Sequence, residues 1–185
     1  MGALLCVMLW VFMKEKDGEF QVNYATNGFM NQLRGIATVG CYPVDAMDTK
    51  TEFSAIDYTA RAVVLLSGTP DKFTVFHANS CHRVHMANVL HAMARQGIQI
   101  EIVEDKQFQS ALQEALQDEK RNMAVSSLIT YNTHDLTQRP VQEDNSFTVK
   151  ALYRLGFSWP IVSEEYIQRS VNAILQLALG FFTEE

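Results

Sequence analysis

Apolar stretches with two different periods alternate along the chain from Thr51 onward, and this alternation limits the fold more than any other feature. Segments of strand length precede segments whose apolar residues recur every three or four positions, as on one face of a helix. The three predicted strands and the helices after them are Thr51–Ile56 with Tyr58–Ser67, Phe73–Ala78 with Arg83–Arg95, and Ile98–Ile102 with a helix from Asp105. A repeated strand–helix order predicts an α/β fold with a mainly parallel sheet.

Polar residues mark the expected starts of these helices. Asp57 and Asp105 stand where an N-cap would accept hydrogen bonds from unpaired amides, and Asn79 with Ser80 offers caps for the helix over Arg83–Arg95. Four further helices are predicted over Asn27–Val39, over Glu119–Tyr131 with Met123, Leu128 and Tyr131 inward, over Phe147–Leu155, and after Ser163.

The first thirteen residues are apolar without a break. They are too few for the ~20 residues of a membrane-spanning helix, and they lack the charged start and small-residue cleavage site of a signal peptide. A short buried strand is the physical alternative. We therefore predict a remnant strand or foreign sequence over residues 1–16 and one domain over residues 17–185.

Composition excludes several classes of protein. A length of 185 residues with 48% apolar and 19% charged residues is typical of one globular domain. A net charge of −6 without a basic stretch argues against a nucleic-acid partner, which requires clustered positive charge. Three scattered cysteines form no disulfide framework, so we expect a cytoplasmic protein.

Neither a metal site nor a nucleotide site is encoded by a complete motif. His82 and His85 are three residues apart, but His77 and His91 do not complete a zinc-ligand spacing, so we predict no metal. The nine glycines are dispersed without a glycine-rich phosphate-binding turn, and no Tyr-x-x-x-Lys occurs.

Several segments, in order, resemble the reductase domains that end many nonribosomal peptide synthetases, which are thioester reductases of the extended short-chain dehydrogenase/reductase type. They are Asp17–Gln21 (DGEFQ) with Asn27–Asn31 (NGFMN), Glu52–Ala62 (EFSAIDYTARA), Phe73–His77 with the following helix, and Leu152–Pro160 (LYRLGFSWP) with Ser163–Ile174. The resemblance covers roughly Asp17 to Phe182. It implies the C-terminal, substrate-binding part of such a domain: a partial Rossmann-like fold of a few mainly parallel strands plus a mostly helical lobe.

The activity that this resemblance implies is the NAD(P)H-dependent release of a carrier-bound peptidyl or aminoacyl thioester as an aldehyde or alcohol. In that family a Ser/Thr, a Tyr and a Lys act together, the Tyr protonating the carbonyl oxygen while the Lys lowers its pKa and holds the nicotinamide ribose. These residues and the glycine-rich turn lie upstream of the matching stretch. We therefore expect no catalytic and no cofactor-binding residue in this chain, no activity by itself, and NADPH only for a complete domain.

The resemblance also implies that Asp17–Leu33 lines an acyl or phosphopantetheine channel, because apolar walls with a few amides suit an acyl-amide ligand. The candidate substrate-binding residues are Phe20, Asn23, Asn27, Phe29 and Met30. An alternative is that Phe29, Met30 and Leu33 are simply the core-facing stripe of one helix.

The implied partner is an acyl or peptidyl carrier protein, with neither nucleic acid nor membrane. An alternative function is a non-catalytic module that docks a carrier protein or a partner subunit. Carrier proteins are usually acidic, so docking needs a basic patch on this chain. The candidate cations are Lys120, Arg121, Arg139, Lys150 and Arg154.

Overall fold

The computed structural model describes residues 4–6, 11–12, 27–70, 75–132 and 144–180, with side chains over 27–70, 75–129 and 144–174. The chain forms two compact units. The first comprises Met1–Gln21, Thr51–Val84 and Pro140–Ser163, and the second comprises Val22–Lys50, His85–Arg139 and Glu164–Glu185.

Short strands alternate with longer helices along the described ranges. The strands are β1 (Leu4–Cys6), β2 (Val11–Phe12), β3 (Cys41–Pro43), β4 (Lys50–Glu52), β5 (Ser54–Ala55), β6 (Val75–His77), β7 (Arg83–His85) and β8 (Glu101–Val103). The helices are α1 (Gly28–Val39), α2 (Ile56–Ser67), α3 (Met86–Arg95), α4 (Asp105–Gln117), α5 (Asn122–Asn132), α6 (Ser146–Arg154) and α7 (Glu164–Gly180), with a 3-10 turn over Val44–Ala46.

The strands pair in twos. Strand β1 pairs in parallel with β6, β2 with β5, and β3 with β8, while β4 pairs with β7. The predicted α/β class with mainly parallel strands is confirmed. Within the described ranges the strands form four separate two-stranded pairs, where the sequence pattern indicated one sheet. Of residues 1–16, the described parts are the short strands β1 and β2.

An apolar core holds the first unit together. Helices α2 and α6 contribute Ala62, Leu66 and Leu152, β6 contributes Phe76, and the segment after α6 contributes Phe157 and Trp159. The rings of Phe157 and Trp159 pack edge to face with their centroids 5.2 Å apart, which is a favoured aromatic geometry. Pro160 follows this pair, in the segment between α6 and α7.

The second unit is built mainly from packed helices. Helix α1 packs against α5, and α3 packs against α7. The buried residues of α1, among them Met30, Leu33 and Ile36, recur at helical spacing as predicted. Helix α1 ends at Gly40, whose positive φ of 79° lets its amide donate to the Ile36 carbonyl.

Helix starts differ from the predicted caps. Ala55 and not Asp57 is the N-cap of α2, because the Asp57 carboxylate lies within the first turn and accepts from the Tyr58 amide at 3.0 Å. Glu104 and not Asp105 caps α4, since its side chain forms a capping box with Gln107. Asn79 and Ser80 cap no helix, since Arg83–His85 is a strand and α3 begins at Met86.

One prediction of burial and one predicted strand boundary are also wrong. Met123 is 83% exposed because the inward face of α5 is formed by Val125 and Leu128. The strand predicted over Ile98–Ile102 is β8, displaced to Glu101–Val103, and its Ile102 is 42% exposed. Tyr131 has no described side chain.

Gly35 permits the close approach of α1 and α5. A Cβ atom there would lie 2.8 Å from Cγ of Leu128 and 3.1 Å from the carbonyl oxygen of Ala124. An exposed helical Gly→Ala change would stabilise a protein by roughly 0.5–1 kcal/mol. Here we expect Gly35→Ala to lower the free energy of unfolding by about 1–3 kcal/mol, because neither contact can relax freely.

A double-mutant cycle, with stability measured by urea denaturation, separates this steric clash from the higher helix propensity of alanine. The cost of Gly35→Ala should shrink in a Leu128→Ala background, since that change opens the space the new methyl group needs. A Gly35→Ala protein as stable as the parent would contradict this account of the α1–α5 contact.

Tyr42 should make the second unit sensitive to alkali. Its ring is buried on β3 and meets Phe108 at 6.3 Å. Burial raises the pKa of Tyr42 to about 12, whereas the unfolded chain has a pKa of about 10. Below pH ~10 the phenol is protonated in both states, so stability is retained there. Between ~10 and ~12 only the unfolded state ionises, so stability falls by up to about 1.4 kcal/mol per pH unit.

Urea unfolding at pH 9, 10 and 11 tests this linkage. The Tyr42→Phe protein should lose less stability over this range than the parent. Parallel pH profiles for Tyr42→Phe and the parent would show that this phenol is not the linked group.

Candidate functional site

The predicted substrate segment is described only from Asn27 onward, so Phe20 and Asn23 lie outside the described residues. Asn27 is the N-cap of α1, and its Oδ1 atom accepts from the amides of Phe29 and Met30, both at 3.1 Å. Phe29 and Met30 are buried within the second unit. Their burial matches the alternative of a core-facing helix stripe, and a role for these residues in substrate binding stays a prediction.

The most concentrated polar chemistry lies in the first unit, around the buried carboxylate of Glu52. Its Oε1 atom accepts a hydrogen bond from the Ser54 hydroxyl, and its Oε2 atom accepts from Asn79 Nδ2 at 3.0 Å. Arg83 Nη1 lies 3.9 Å from Oε2. Both carboxylate oxygens are therefore engaged, so Glu52 is placed to hold structure and is poorly placed to accept a substrate proton.

This buried network extends along the chain in two directions. The Ser54 hydroxyl oxygen accepts from the Ser80 amide at 2.9 Å, and Arg83 Nη1 donates to the Ser80 carbonyl. Asn145 Nδ2 donates to both the carbonyl and the Oδ1 atom of Asn79, at 2.9 and 2.8 Å. We call Glu52, Ser54, Asn79, Ser80 and Asn145 the Glu52 network.

Sequence reasoning assigned Asn79 and Ser80 to helix capping and did not single out Glu52. The sequence feature that could have identified Glu52 is its position beside Phe53 in a short segment predicted to form a strand. An acid at such a position is costly unless donors surround it, so its partners must come from elsewhere in the chain.

Cysteine and histidine chemistry is not assembled in the described parts of the chain. Cys41 is buried, and burial together with the negative charge of Glu101 raises the pKa of its thiol, which disfavours the reactive thiolate. Cys81 is exposed. His82 Nε2 lies 3.3 Å from the Trp159 carbonyl, and no three metal-ligating side chains cluster among the described residues.

The predicted basic residues fall on separate elements. Lys150 and Arg154 are exposed on α6 in the first unit. Lys120 and Arg121 belong to the second unit, where Arg121 Nη2 donates to the Thr38 carbonyl at 3.0 Å. Arg139 lies outside the described residues. Among the described helices, none is long and apolar enough to cross a membrane.

Comparison with known proteins places this fold. No protein-family model and no curated protein matches the chain at the level of sequence. A thiolation-reductase di-domain from an archaeal nonribosomal peptide synthetase is 28% identical with a TM-score of 0.80, covering 96% of this chain and 36% of that one.

Two further reductase domains share the fold. The reductase domain of the aureusimine biosynthetic cluster is 21% identical with a TM-score of 0.74, covering 95% of this chain and 45% of that one. The terminal R domain of the myxalamid PKS-NRPS pathway is 20% identical with a TM-score of 0.74, covering 95% and 44%. The chain thus spans less than half the length of these solved structures.

The predicted resemblance is confirmed. The fold is that of a reductase domain of the nonribosomal peptide synthetase type, in agreement with the C-terminal part of an extended short-chain dehydrogenase/reductase domain.

Glu52 should be essential to the stability of the first unit. Replacement by Ala removes the acceptor of buried donors on Ser54 and Asn79, so we expect Glu52→Ala to lower the free energy of unfolding by about 2–4 kcal/mol. Glu52→Gln should cost about half as much, because one carbonyl oxygen remains to accept. Replacing the exposed Glu119 by Ala is the matched control and should change stability by less than ~0.5 kcal/mol. Chemical denaturation measures all three, and equal costs at the two positions would rule out the Glu52 network as a stabilising element.

Proposed function

We propose that this chain is the substrate-binding part of an NAD(P)H-dependent thioester reductase. The complete protein releases a carrier-bound peptidyl or aminoacyl thioester as an aldehyde or alcohol in nonribosomal peptide biosynthesis. The observation that carries this proposal is the match over 96% of the chain, at 28% identity and a TM-score of 0.80, to a reductase joined to a thiolation domain.

The described residues do not fit a nicotinamide dinucleotide. A dinucleotide is bound by a glycine-rich turn at the start of a helix, where backbone amides donate hydrogen bonds to the pyrophosphate. The described glycines with positive φ are Gly40, Gly97 and Gly156, and each follows the carboxyl end of a helix. We therefore assign cofactor binding and proton transfer to residues outside this chain and derive no step through the cofactor here.

The acyl-binding surface is proposed at the start of α1. Asn27 is half-buried, and its Oδ1 atom is used by the helix cap, which leaves the Nδ2 hydrogens to donate to a ligand carbonyl. Phe29 and Met30 are buried, so in this proposal they fix the start of the helix by packing in the core. Phe20 and Asn23 complete the proposed lining.

Asn27→Asp tests this role without removing the cap. Aspartate caps a helix as well as asparagine does, but its carboxylate donates no hydrogen bond to a ligand carbonyl. We expect about fivefold to tenfold weaker binding of an acyl-pantetheine thioester, with an unchanged melting temperature. Asn122→Asp, at an exposed position of α5, is the matched control. Titration calorimetry gives the affinity, and NADPH should bind none of the three proteins.

Two results would overturn the proposal. One is a chain that binds NADPH by itself, and the other is a parent chain that has no affinity for the acyl-pantetheine thioester. Equal affinities of the parent and Asn27→Asp would remove Asn27 from the site and leave the function to the remaining lining residues.

A further inference from the structure

Helix α6 is fixed to the first unit through four contacts of different kinds. Leu152 is buried in the apolar core, and the Thr148 hydroxyl oxygen accepts from the His77 amide at 2.9 Å. The Phe147 ring stacks on Phe76 at 5.8 Å. Asn145, just before the helix, is held by Asn79 of the Glu52 network. Thr148 and Leu152 form the buried face of the helix, and the contacts of Asn145 and Phe147 hold its start, so the exposed face has a defined orientation within the unit.

That opposite face is basic and aromatic. Lys150, Tyr153 and Arg154 are all exposed, Tyr153 to 74%, and Tyr153 and Arg154 follow Lys150 by three and four positions, one turn further along the helix. No acidic residue occurs within Ser146–Arg154. We call Lys150, Tyr153 and Arg154 the α6 surface.

Among the described residues, Asp144 is a negatively charged neighbour of this helix. Its pKa is lowered first by hydrogen bonds from Ser146 and then by the charges of Lys150 and His77. Arg154 lies in the last turn, where the helix dipole favours a cation. Within the described residues neither Lys150 nor Arg154 forms a salt bridge. In a chain of net charge −6, a helix with two such cations and no acid is a local exception.

We infer that the α6 surface docks an acidic protein segment, and that under the proposed function this segment belongs to the carrier domain. This inference rests on the proposed function for the identity of the partner. A helix that is already held in place loses little conformational entropy on binding. Its cations attract and orient an acidic partner. The exposed tyrosine supplies apolar contact area and a hydroxyl group that can form a hydrogen bond.

Other partners fit the surface less well. Nucleic acid would meet two cations on a chain of net charge −6, far fewer than phosphate binding requires. A membrane surface would need the apolar face of α6, but this face is buried against Leu66 and Phe76 in the core. Charge and burial therefore both favour an acidic protein.

Calorimetric titration of the full chain with an acidic carrier domain, bearing its phosphopantetheine arm, tests the inference. The double variant Lys150→Glu/Arg154→Glu should weaken binding at least tenfold at 50 mM NaCl, and the difference should shrink at 300 mM because salt screens the charges. Tyr153→Ala should weaken binding about fivefold at both salt concentrations. The control Lys106→Glu/Lys120→Glu makes the same change of formal charge at exposed positions of the second unit and should change affinity less than twofold.

The small acyl-pantetheine thioester separates this inference from the proposed function. All variants should bind it with parental affinity, because none of the substituted residues belongs to the proposed acyl site. If the thioester binds but both charge reversals weaken carrier binding equally, the docking inference is wrong and the proposed function stands. If the carrier binds through the α6 surface but the thioester does not bind, the proposed function fails and the docking surface stands. Equally tight binding to single-stranded RNA or to phosphatidylserine vesicles would also overturn the inference.

Discussion

The buried carboxylate of Glu52 is the constraint around which the first unit is organised. A carboxylate removed from water must be surrounded by donors, and here they come from distant parts of the chain. Ser54 is two residues away, whereas Asn79 is 27 residues away and in turn binds Asn145, a further 66 residues along. One buried charge thus joins a strand, the segment after β6 and the start of α6.

The functional interpretation of the first unit depends on this connection. Because the carboxylate oxygens of Glu52 are already occupied, the network serves to position other elements. The element that it positions is α6, whose remaining contacts are to the core and to β6. A helix held in this way can present Lys150 and Arg154 in a constant geometry, which charge-dependent docking requires.

The second unit depends on apolar packing and on backbone geometry. Gly35 allows α5 to approach α1 closely, and the cap at Asn27 fixes where α1 begins. The same asparagine is the proposed donor to an acyl ligand, so the helix start and the binding surface share one side chain. This sharing explains why a residue of the predicted site is also part of the local structure, and why only a variant that keeps the cap can separate its two roles.

The sequence by itself determined the α/β class, the positions of α1, α2 and α6, and the resemblance to reductase domains, because helical periodicity and caps are local signals. It placed Arg83 in a helix and Met123 in the core, since neither strand pairing nor the choice of buried helix face is a local property. Only the tertiary structure decided that Asn79 binds Glu52 and that α6 presents its cations outward. Those arrangements depend on residues far apart in the chain, which come together only when the folded chain forms hydrogen bonds between its buried polar groups.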